Sequence, residues 1–154
     1  MPGRTAIIIV LLALVAFGSA ARAQCMYEVA AVITGPECSP GVVASFGAWA
    51  IDNDGNLGGL VSCNLVPTAA VWTGGVTAVP LGNPPGTNAS GVIDLFGPDH
   101  AVGQATPIGL NRNYPALWQP GGSMLLPLLA GSNGGSGEGI NSQLVIAGES
   151  NNTS

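Results

Sequence analysis

The chain has 154 residues, 47% hydrophobic and 7% charged, with three basic residues against eight acidic ones. So apolar a chain buries a core and is no disordered polyelectrolyte, and so acidic a chain is a poor partner for nucleic acid or an anionic membrane. Its 24 glycines and 12 prolines interrupt any long helix and point to an all-β fold.

In chain order, the first element is an export signal. Arg4 precedes an apolar run of 13 residues from Ala6 to Gly18, and Ala21-Arg22-Ala23 supplies the small-x-small cleavage pattern. A membrane-spanning helix needs ~20 apolar residues, so no span is expected. Arg22 and Gln24 stand where a lipid-attachment motif wants an aliphatic and a small residue, so Cys25 is not expected to carry a lipid. Residues 1–23 are thus the signal peptide, and the protein is expected to be secreted, extracellular or periplasmic. The mature chain keeps 154 − 23 = 131 residues, enough for one domain. Arg4 and Arg22 leave with the signal, so Arg112 faces eight carboxylates and the formal charge becomes 1 − 8 = −7.

Residues 24–44 hold a leading strand (Tyr27 to Val32) and a cysteine-containing loop. In an oxidising compartment, Cys25, Cys38 and Cys63 give one disulfide and one leftover thiol. Cys38–Cys63 is the preferred pair because Cys25 lies near the N-terminus. With no CxxC spacing and a single histidine, a zinc site is not expected.

From Ser45 onward the chain resembles itself, with units near 45–86, 87–133 and, in part, 134–154. Ile51-Asp52, Gly59 and Trp72 mark the first unit. Ile93-Asp94, Gly103 and Trp118 mark the second, and Ile140-Asn141 and Gly148 the third. Trp72 and Trp118 are 46 residues apart, Ile51 and Ile93 are 42 apart, and Ile93 and Ile140 are 47 apart. Pro80 and Pro127 each precede the next unit's isoleucine by 13 residues. Short apolar pieces punctuated by glycine and proline predict four strands per unit. Trp72 and Trp118 are expected to pack between neighbouring sheets. Trp49 has no counterpart, since Gly91-Val92 and Glu138-Gly139 stand at its place, and it is the candidate ligand contact.

The stretch Asp52-Asn53-Asp54-Gly55-Asn56 invites a calcium-loop reading. Such a loop needs glycine at its sixth position and glutamate at its twelfth, where this chain has Leu57 and Cys63. Asp and Asn here suit a turn instead, because their side chains bond the backbone two residues on. His100, beside Asp99, has no nucleophile elbow to serve, so no triad is expected. Asp52, Asp54, Asp94 and Asp99 all fall at predicted turns, with no spacing that favours two of them for glycoside hydrolysis. The sequence leads us to expect no catalytic residue, no metal and no cofactor. Asn88, Asn151 and Asn152 match glycan acceptor patterns and mark exposed turns.

The order Ile-Asp or Ile-Asn, turn, Gly, then A-x-x-W-x-x-G-G and Pro-Leu-Gly resembles the HAF family of extracellular repeats of secreted bacterial proteins. The carrying residues are Ile51-Asp52, Gly59, Trp72 and Leu81-Gly82; then Ile93-Asp94, Gly103, Trp118 and Leu128; then Ile140-Asn141 and Gly148. The resemblance covers about four fifths of the mature chain, from Ser45 to Ser150. It implies four-stranded units of about 46 residues in an incomplete propeller-like stack, the alternative being a trefoil-like closure of three units. The function expected is a non-enzymatic scaffold that meets other repeat units, other chains or a second copy of itself. The alternative is a carbohydrate-binding module that uses Trp49 to contact glycans.

Overall fold

Glycine and proline cut this chain into short extended pieces, and the strands follow those cuts. The structure, a computed structural model, describes residues 33, 35–39, 42–74 and 78–152. The export segment 1–23, Cys25 and the leading strand 27–32 lie outside those residues. Among the described residues there are twelve strands and no helix. They are β1 (Glu37–Ser39), β2 (Val42–Val43), β3 (Ser45–Ile51), β4 (Leu57–Cys63), β5 (Val66–Trp72) and β6 (Val79–Pro80). Then follow β7 (Thr87–Phe96), β8 (His100–Pro107), β9 (Tyr114–Gln119), β10 (Gly122–Leu125), β11 (Gly134–Ile140) and β12 (Ile146–Asn151).

The strands form four separate sheets, each antiparallel. β1 pairs with β2, β3 to β6 form one four-stranded meander, β7 to β10 form another, and β11 pairs with β12. No barrel closes among the described residues, so the trefoil-like closure is not what the strands do. Among the described residues each sheet ends on an unpaired edge strand, and neighbouring sheets meet through packing instead of a shared backbone ladder.

Turn chemistry explains the meanders. Asn64 and Leu65, at φ 54° and 66°, form the two-residue link of β4 to β5, where Cys63 lies opposite Val66. Two consecutive left-handed residues make the turn whose twist matches a hairpin. Pro120 and Gly121 (φ 97°) connect β9 to β10, with proline setting the first corner and glycine the second.

Alternation along β5 sends side chains both ways. Ala69 and Val71 face a core shared with Val92, Leu95, Ala101, Ala116 and Trp118 of the second meander. Ala70 and Trp72 face the other way, onto Ala44, Val61 and Ala78, with Ile33 and Cys38 alongside. A strand buried on both faces reads as a continuous apolar run, which is why "TAAVW" shows no polar alternation. The Phe46 ring meets Trp72 at 6.1 Å between centroids. Cys38 and Cys63 form a disulfide that ties β1 to the end of β4.

The ladders shift one sequence match. Pro80 lies opposite Ala70, and the residue opposite Ala116 in the second meander is Leu125, not Pro127. Leu81 donates its N–H to Ala69 and Leu126 to Pro115, each acceptor three residues before a tryptophan. Leu126, not Leu128, therefore stands where Leu81 stands.

Candidate functional site

The first strand of each of the last three sheets carries a bulge. Ala48 and Ala50 pair with Gly59 and Gly58, leaving Trp49 as the extra residue. Val92 and Asp94 pair with Gly103 and Val102, leaving Ile93. Gly137 and Gly139 pair with Gly148 and Ala147, leaving Glu138. Trp49 thus has counterparts after all, in Ile93 and Glu138, because the ladders align strands by register while identical residues had suggested a different offset.

Opposite each bulge sits a glycine that the geometry demands. A Cβ on Gly59 would fall 1.9 Å from the Gly47 carbonyl, one on Gly103 2.1 Å from Gly91, and one on Gly148 2.4 Å from Ser136. The bulge pushes a carbonyl oxygen into the space a side chain needs. Trp49 is 54% exposed, and its ring would lie 3.5 Å from a Cβ on Gly91. The indole spans from its own strand toward β7.

The residues after β3 and β11 form the same loop. Asp52 Oδ1 accepts the N–H groups of Asp54 and Asn56, at 2.9 and 2.8 Å, and Asn141 Oδ1 accepts those of Gln143 and Val145, both at 3.0 Å. Asp52 Oδ2 also accepts from Asn56 Nδ2 at 2.8 Å. Burial by itself would raise the Asp52 carboxyl. The bonds from Asn56 and from the Asp54 and Gly97 amides outweigh it and hold the group below the usual carboxylate range. A carboxylate so occupied by its own loop is a turn former, and no metal-ligating cluster of three or more groups exists among the described residues.

Asp94 does something else. It lies within β7, not at a turn, and its Oδ2 accepts the N–H of Ile140 at 2.8 Å. The second meander is thereby bonded to the β11–β12 sheet. The residue that occupies the loop position in β7 is Phe96, so the matched Ile93-Asp94 pair lies two residues upstream of the place held by Ile51-Asp52. His100 opens β8 opposite Phe96, while Asp99 is exposed in the turn before it. Asp52, Asp54, Asp94 and Asn141 do converge around a cleft of about 360 Å³.

The last sheet ends in the open. β12 pairs with β11, and no second neighbour lies beside it among the described residues. Its counterparts β4 and β8 are largely buried, whereas most of β12 is exposed. Leu129, Leu144 and Val145 near it are 72, 46 and 60% exposed. Glu149 is the one charged residue of β12, and it is exposed. An edge strand with a single charge and no lysine or proline is poorly guarded against strand addition. Leu144 to Ile146 form an apolar run in the sequence, which offers no sign that Leu129 belongs to the same surface. Compared with known proteins, the chain matches no family model, no curated protein and no solved structure.

Proposed function

We propose that this protein is a secreted, non-enzymatic β-repeat scaffold that offers sheet surface to other chains. The observation that carries the reading is the recurrence of one device: a bulged first strand opposite an obligatory glycine, three times in the same register. A residue pattern repeated at that level supports repeat units of the HAF kind, stacked sheet on sheet in a propeller-like manner. The open β12 edge supports assembly with further strands. Light scattering behind size exclusion tests this. Association that grows with protein concentration is expected, and a sharp monomeric peak at all concentrations with cooperative unfolding would overturn it.

One observation favours a second reading. Trp49 presents a half-exposed indole over Gly91, and such a face stacks on a sugar ring. A glycan array on the wild type and Trp49→Ala decides it: reproducible binding that the substitution abolishes makes the protein a carbohydrate-binding module.

A further inference from the structure

The slot between the two four-stranded meanders is filled, and the filled case shows what belongs in it. In the second meander β9 lies beside β8, with Ala116 opposite Gly103 and Trp118 opposite Ala101. Ala116 and Trp118 are 0 and 3% exposed and reach back onto the first meander. Leu81 packs against the cluster that holds the indole, which donates its N–H to the Gly82 carbonyl at 2.9 Å.

The same positions recur one sheet further on without a third strand among the described residues. Leu126 takes the place of Leu81, so Pro127 and Leu129 follow as the counterparts of Gly82 and Pro84. Gly148 and Ile146, lying opposite the bulged strand, take the places of Gly103 and Ala101. Leu126, Pro127, Leu129, Gly137, Ile146 and Gly148 line one groove of about 360 Å³. These are the counterparts of the filled slot minus what β9 contributes, an alanine and a tryptophan. Pro84 is fully buried, while Leu129 is 72% exposed, with no covering strand over it among the described residues.

We propose that this groove docks an extended strand from another polypeptide with the pattern Ala-(Leu or Val)-Trp. The proposal rests on the repeat reading above. The strand adds antiparallel to β12, its alanine against Gly148 and its tryptophan against Ile146. The indole enters the groove over Leu126 and donates its N–H to the Pro127 carbonyl, as Trp118 does to Gly82. The protein's own third strands, Ala70-Val71-Trp72 and Ala116-Leu117-Trp118, spell the ligand. A second folded copy does not supply it, because Trp72 and Trp118 are 1 and 3% exposed within their own sheets.

The probe is a dye-labelled peptide copying residues 113–121, titrated with the full chain and read by fluorescence anisotropy. Saturable one-to-one binding is expected, weakened at least ~tenfold by Trp118→Ala in the peptide or by Leu129→Asp in the protein. Leu129 is a surface residue, so that variant retains the fold. Hydrogen exchange should slow at β12 amides when the peptide is bound. Absence of saturable binding, indifference to the peptide's tryptophan, or protection away from β12 each overturns the proposal. So does binding that emerges only after residues 24–32 are removed, which makes the chain's own segment the occupant. Failure here while light scattering still shows association removes the indole slot and leaves the scaffold reading intact.

Discussion

The second meander is packed on both faces, but the two contacts use different means. Against the first meander it buries side chains: Ala69, Val71, Val92, Leu95 and Trp118 fill one apolar layer. Against β11 it buries mostly backbone, because Gly134, Gly135, Ser136 and Gly137 present almost no side chain. A Cβ on Gly137 would lie 3.1 Å from the Val102 Cβ and 3.4 Å from the Gly103 nitrogen. Close approach can therefore join two sheets where side-chain volume is absent. It removes less apolar area from water, so the β11–β12 sheet is the part expected to open first.

Alanine at the glycines opposite the bulges breaks this comparison most severely. Gly103→Ala drives a Cβ into the Gly91 carbonyl inside a sheet packed on both faces, and loss of cooperative folding is expected, beyond ~4 kcal/mol. Gly148→Ala meets Ser136 at the exposed sheet, which has room to shift, so its cost should be visibly smaller in chemical denaturation. Next in size is the side-chain contact. Trp118→Ala should lower stability by ~3–5 kcal/mol, against less than ~0.5 for Leu129→Ala on the exposed surface. Equal losses at the two positions would mean that the groove is already covered.

Smaller effects sharpen the comparison of the Asp52 and Asn141 loops. Asp52 is held below the usual carboxylate range, so its contribution is in place above the unfolded carboxyl's value of ~3.9 and fades as pH falls through the folded one. Asp52→Asn supplies the carboxamide that Asn141 already uses and forfeits the bond from Asn56 Nδ2. Thermal melts should show ~1 kcal/mol lost at neutral pH and a flatter acid limb. A wild-type melting temperature that does not drop in acid more than the variant's would break the argument. Smallest is Leu65→Gly. Leu65 is 95% exposed at φ 66°, so glycine relieves a left-handed leucine and should gain ~0.5–1 kcal/mol.

The all-β fold was legible because glycine and proline punctuate every apolar run. Which residues share a register was not. Identity matched Ile51-Asp52 with Ile93-Asp94, yet the ladders place Leu95 and Phe96 there, since a turn can change its sequence while the pairing holds. Trp49 went unmatched for the same reason: a bulged residue has no cross-strand partner, so nothing selects its type. The recurring Gly59, Gly103 and Gly148 are plain in the sequence, but the carbonyl that forbids a side chain there belongs to a residue 12 positions upstream. The open groove was hidden altogether, because it is assembled from a loop and a strand that read as unrelated.

The Cys38–Cys63 bridge has a mechanical consequence. A chain pulled from its two ends can pay out slack wherever sheets yield, but not across a closed loop. The 25-residue separation removes roughly 85 Å of extensible length, at ~3.4 Å per residue. β3 and β4 lie inside that loop, so tension bypasses the hairpin that carries Trp49 and loads β5 instead. Under reducing conditions the missing length should return as an added step in a force–extension trace.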